Sequence, residues 1–259
     1  MISLGVSTAC LYPEVTERAV DELAAAGVKT IEIFYNSPSE YRPEFLKELK
    51  KKLDSNGMRA VSMHPYNSFA EPYMLFTGYE RRFTDTLEEY KTYFERMSLV
   101  GSTIFVFHGD RWDSKFPEER YFERFAALSE AGRQCGILVA QENVQRCRSR
   151  DIGFLQRMRR YLNDEVSFVL DIKQAVRSGY SPFEVLKAMS GRIVHLHLND
   201  NDNERDCLLP GKGSFDFSAF FQEAERQKYQ GAAVIEVYRQ NYDTLAEVTE
   251  ALCYLKKIL

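Results

Sequence analysis

Eight alternations of a short apolar run with a longer amphipathic stretch predict an α/β fold, a single closed (β/α)8 barrel spanning residues 1–259. Two further observations sharpen that prediction. Proline opens and glycine closes many of the amphipathic stretches, and four of the later apolar runs end on an acidic or imidazole side chain. Such a barrel typically occupies about 250 residues.

The first run, Ile2–Ser7, leads to a helical stretch over Glu14–Ala26, with Pro13 before it and Gly27 after it. Thr30–Phe34 precedes Pro43–Ser55, closed by Gly57. Arg59–Met63 leads through a long connection to Tyr79–Val100 and Gly101, and Thr103–Phe107 leads to Pro117–Cys135 and Gly136. The remaining pairs are Ile137–Glu142 with Asp151–Leu162, Val166–Asp171 with Pro182–Met189, Ile193–Leu198 with Phe217–Lys228, and Ala233–Val237 with Thr244–Ile258. Proline suits a first helical turn because no N–H is needed there, and glycine adopts the left-handed conformation that ends a helix. Near-continuous apolar runs suit parallel strands buried on both faces. A doubly wound open sheet is the alternative, but Ser7–Pro13 after the first run has no glycine for a phosphate-binding turn.

Hydrophobic residues make up 44% of the chain, ample for a large core, yet no run approaches the roughly 18 apolar residues of a membrane span. The N-terminus shows no basic segment followed by a long apolar one, so secretion is not expected. Five cysteines without a C-x-x-C spacing read as reduced thiols, which places the protein in the cytoplasm. A formal charge of −4 disfavours nucleic acid as a partner. Arg146, Arg148, Arg150, Arg157, Arg159 and Arg160 read as a solvated loop and helix face.

Glu142, Asp171, His197 and Glu236 end four consecutive apolar runs, at the end of a barrel strand that faces the active site. Isolated charges there are costly without a cation, so their coincidence points to a divalent metal site. Carboxylate oxygens with one imidazole suit Mn2+, Mg2+, Co2+ or Zn2+. His195 shares a strand face with His197 and is expected one layer lower, as a hydrogen-bonded or core histidine. His64 and His108 flank the same rim and would favour zinc or a second metal. The long connections 65–78, 109–116 and 199–214 lie on the same side; Tyr66, Phe69, Tyr73, Phe76 and Trp112 either wall a pocket there or pack onto the rim.

Across nearly its whole length the chain resembles the xylose isomerase-like TIM barrel superfamily, which includes sugar and sugar-phosphate isomerases, ketose 3-epimerases, inosose dehydratase and endonuclease IV. The motifs are Met63-His64-Pro65-Tyr66, Phe107-His108-Gly109, Gln141-Glu142-Asn143, Leu170-Asp171-Ile172, His195-Leu196-His197-Leu198-Asn199-Asp200, the loop 209–217 and Ile235-Glu236-Val237. The resemblance implies that Glu142, Asp171, His197 and Glu236 hold the metal. It also implies that Glu142 and Glu236 form the acid/base pair that moves a proton through a metal-stabilised enediolate. Substrate-contacting positions would be His64, His108, Lys173, Gln174, Arg205 and Lys212. Lys173 would meet a phosphate or carboxylate substituent unless it points outward.

Endonuclease IV would use three zinc ions. His64, His108 and Glu142 match the first site, but its third-site histidines fall on Gln174 and Cys207. The expected function is therefore a divalent-metal-dependent isomerase or epimerase of a small sugar or sugar phosphate. Alternatives are an inosose dehydratase-like lyase, an endonuclease IV-like metal hydrolase and a non-catalytic sugar-binding barrel. Association into a homo-oligomer through the outer helices is left open.

Overall fold

A computed structural model describes residues 2–259 of the chain. Eight parallel strands close into a barrel in sequence order, β1 pairing with β8 as well as with β2. The strands are β1 (Ser3–Ser7), β2 (Thr30–Phe34), β3 (Arg59–His64), β4 (Ile104–Phe107), β5 (Leu138–Glu142), β6 (Ser167–Asp171), β7 (Ile193–Leu198) and β8 (Ala232–Ile235). The helices are α1 (Thr16–Ala25), α2 (Pro43–Ser55), α3 (Glu71–Met74), α4 (Glu80–Met97), α5 (Glu118–Gln134), α6 (Ile152–Tyr161), α7 (Ile172–Arg177), α8 (Pro182–Ala188), α9 (Phe217–Arg226) and α10 (Leu245–Ile258).

The expected elements are all present, shifted by one to three residues at some ends. Two corrections matter for the site. Glu236 lies just beyond β8 rather than within it, and α7, which the sequence reading omitted, starts directly at the end of β6. Asp171 caps that helix: its carboxylate accepts the backbone N–H of Gln174.

Alternation along the strands divides the side chains between two environments. One set packs the main core against the helices, with Ile31, Ile33, Met63, Phe105, Phe107, Phe168, Leu170, Leu196 and Leu198 among its members. The other lines the barrel axis, where Ile104, Val106, Ala140 and Val169 form a small apolar plug. Two residues further along the same strands stand His108, Glu142 and Asp171, so the plug floors the polar mouth. The fit around the axis is tight: a Cβ on Gly5 would sit 2.3 Å from the Thr30 carbonyl oxygen.

The loop from Asn199 to Ser214 folds around Asp200. Its carboxylate accepts backbone N–H groups from Gly211, Gly213 and Phe215. Gly213 has no room for a side chain there, since a Cβ would lie 2.4 Å from the Asn201 carbonyl oxygen.

Candidate metal centre

Closing the barrel brings Glu142, Asp171, His197 and Glu236 together, each with one potential ligand atom within 4.8 Å of the others. His197 Nδ1 is the hub. It lies 3.3 Å from Glu142 Oε1, 3.5 Å from Glu236 Oε2 and 3.9 Å from Asp171 Oδ2. Glu142, Asp171 and His197 are buried, and Glu236 is partly exposed.

The donor set fits a divalent cation. Glu142 Oε2 and Asp171 Oδ2 are shut off from water and accept no well-directed hydrogen bond. Burial, helped by Glu236 and Glu142 and opposed by Lys173, pushes the Asp171 carboxyl up to about 6. For Glu142, His108 and His197 more than offset burial and hold the carboxyl well below its usual range. Asp171 is aimed by its surroundings: Gln174 N–H and Asn199 Nδ2 both donate to Oδ1 at 3.1 Å, leaving Oδ2 toward His197. Asn143 anchors the backbone of the same residue in both directions.

The imidazole is also aimed, by a residue the sequence reading missed. Glu32, in the middle of β2, is fully buried and accepts from His197 Nε2 at 3.0 Å, which turns Nδ1 toward the carboxylates. Glu32 also receives hydrogen bonds from His195, Ser62 and Ser7. His195 lies completely buried in this layer, as expected. The two histidines hold Glu32 well below the usual carboxylate range in spite of burial. The available signal was an isolated acid inside the apolar run Ile31-Glu32-Ile33.

The mouth opens into a cavity of about 440 Å3 that includes Tyr12, Phe34, Asn36, Tyr66, Arg146 and Tyr238 in its wall. His64, His108, Lys173 and Gln174 line it as well. Lys173 points inward, not outward: its ammonium sits 3.2 Å from Asp171 Oδ2 and 3.1 Å from Glu236 Oε2, with only 3% of the side chain exposed. Burial opposes this charge, but the two carboxylates raise the lysine well above its ordinary range. Gln174 is partly spent on structure, accepting the Gln145 backbone N–H.

Two residues expected as substrate contacts stand away from this cavity. Arg205 is exposed and forks onto Asp202, and Lys212 is exposed; neither lines the cavity. Of the five rim aromatics, Tyr66 lines the cavity and Phe76 is buried against Tyr121. Phe69, Tyr73 and Trp112 are exposed. Cys207 is buried and belongs to none of the metal-competent groups among the described residues. Several of the clustered arginines are paired within the chain, Arg157 with Glu118, Arg159 with Asp164 and Arg148 with Asp110. No helix among the described residues is long and apolar enough to cross a membrane.

Comparison with known proteins bears on the fold and the family. An inosose dehydratase from Clostridium botulinum is 24% identical over 255 residues, covering 85% of this chain and 81% of that protein. Among solved structures, a D-psicose 3-epimerase with D-tagatose from Clostridium cellulolyticum aligns over 100% of this chain and 99% of its own at TM-score 0.79 and 14% identity. The IOLI protein with a bound zinc atom aligns over 99% and 96% at TM-score 0.78 and 19% identity. These structural likenesses show the fold. Residues 20–258 match the family described as xylose isomerase-like TIM barrel, and the chain belongs to that family.

Proposed function

We propose that the protein is a divalent-metal-dependent isomerase or epimerase of a small sugar or sugar phosphate. The observation that carries this reading is the pair of glutamates, Glu142 and Glu236, whose oxygens lie 3.3 and 3.5 Å from His197 Nδ1. A divalent ion held by Glu142, Asp171, His197 and Glu236 would supply Lewis-acid polarisation of a substrate carbonyl.

The chain's own groups supply the rest. A carbon-bound hydrogen next to a carbonyl is weakly acidic, so its removal needs a carboxylate within hydrogen-bond reach. Glu142 Oε2, buried and without a well-directed donor, is such a base. It takes the proton, the electron pair moves onto the carbonyl oxygen, and an enediolate results. Glu236, which lines the cavity and is partly exposed, returns a proton to the other face or the neighbouring carbon. Lys173 beside Glu236 adds a fixed positive charge where negative charge develops on the substrate. Tyr12 and Phe34 offer apolar walls for the sugar carbons.

The test is NMR of ketoses and their phosphates incubated with the metal-loaded protein in D2O. Deuterium should enter the carbon next to the carbonyl, and Glu142→Gln or Glu236→Gln should cut that exchange by about 10²–10⁴-fold with the fold intact. Full exchange in either variant sinks the acid/base assignment. The similarity to inosose dehydratases favours a second reading, a lyase that starts with the same proton abstraction and then expels hydroxide as water. Loss of a substrate hydroxyl in the product spectrum would decide for it.

A further inference from the structure

The family resemblance carries the expectation of a second metal site at His64, His108 and Glu142, and these three do cluster with potential ligand atoms inside 4.8 Å. Their hydrogen bonds do not fit an ion. Arg146 Nη2 lies 3.0 Å from His108 Nδ1. A guanidinium has donors only, so Nδ1 must be the accepting nitrogen and must present its lone pair to Arg146. In a neutral imidazole the hydrogen then resides on Nε2. That nitrogen is the one facing the cluster, 2.9 Å from Glu142 Oε2 and 2.9 Å from His64 Nε2.

We infer that Arg146 is a positioning residue that keeps His108 as an Nε2–H donor, so that this hydrogen, and not a second metal ion, stands among His64, His108 and Glu142. His64 Nε2 accepts from His108, which uses the one lone pair His64 could have offered an ion. The hydrogen of His64 then sits on Nδ1, which has no partner in the protein. Ligating histidines nearly always have an acceptor behind the ring, as His197 has in Glu32; His108 has a cation there. Arg146 therefore acts on the candidate base Glu142 through His108, without needing to touch substrate.

Two measurements on the full chain test this without any sugar. In the metal-free protein, 15N chemical shifts of the imidazoles should show His108 Nδ1 as the bare nitrogen and Nε2 as the hydrogen-bearing one; the reverse pattern overturns the inference. Zn2+ counted by calorimetry and by elemental analysis should rise by one ion per chain from wild type to Arg146→Gln, whose amide oxygen can accept from Nδ1–H. Adding His108→Ala should abolish that gain, and Arg146→Lys, again a pure donor, should not produce it. An unchanged count in Arg146→Gln, or a wild-type ion lost on His108→Ala alone, overturns the inference. The wild-type count itself tests the separate proposal of a metal at Glu142, Asp171, His197 and Glu236.

Discussion

Two histidines at the barrel mouth, His197 on β7 and His108 just past β4, are both buried and both reach Glu142, but their far sides differ. His197 is backed by the Glu32 carboxylate at 3.0 Å and turns a potential lone pair toward three more carboxylates. His108 is backed by the Arg146 guanidinium at 3.0 Å and turns a hydrogen toward the same mouth. One residue type is thus suited to hold a cation or to donate a hydrogen according to the single partner behind it. Charge follows the same division. Around His197 the acids outnumber the fixed cations, with Lys173 between Asp171 and Glu236, whereas the His108 side carries the Arg146 cation.

The largest expected effect comes from unbalancing the His197 side. Lys173→Met leaves Asp171 and Glu236 without their ammonium, which should cost the metal-free protein about 3–5 kcal/mol. Divalent metal should restore most of it, as read by chemical denaturation with and without the ion. An equally stable metal-free variant would show that the ammonium is not the compensating charge.

Giving His197 a backing like that of His108 is the next step. Glu32→Gln can present an amide donor to Nε2, and metal affinity should fall about 10–100-fold in competition with a chelator. Unaltered affinity would mean that Glu32 does not aim the ring.

Glu71 probes the backing of the His108 side, since its buried carboxyl accepts the backbone N–H groups of His108 and Gly109. Burial pushes it up to about 8, above the ordinary value of 4.5. Its neutral form is therefore favoured by folding: the stability it contributes is present below about pH 4.5 and is lost as pH rises through about 8. Glu71→Gln should flatten the fall in Tm between pH 5 and pH 8. A slope as steep as wild type would assign that fall to other groups.

The smallest effect belongs to residues outside both environments. Arg205→Ala and Lys212→Ala should leave stability within about 0.5 kcal/mol of wild type and leave deuterium exchange unchanged. A large loss of exchange would return these residues to the site.

The alternation of elements was legible because each strand and helix carries its own period and its own end signals. Ser181 with Glu184 and Thr244 with Glu247 close hydrogen-bonded boxes that any reader of local sequence can anticipate. The four strand-end residues were legible for a related reason: a charge that ends an apolar run must lie at the mouth. Lys173 was not, because its direction depends on α7 beginning at Asp171 without a turn between them. That Arg205 and Lys212 stand outside the cavity was not legible, because the course of a long loop depends on which backbone groups Asp200 gathers, and composition does not encode that.

By itself, then, the sequence determined the closed barrel, the polar rim and the four strand-end residues that barrel closure gathers, since all rest on local periodicity. Only the tertiary structure decided what stands behind each ring. Glu32 and His197 are 165 residues apart in the chain, and Arg146 and His108 are 38 apart. A hydrogen bond to one imidazole nitrogen is a matter of ångströms between atoms that only barrel closure brings together, and that contact assigns each histidine its chemistry.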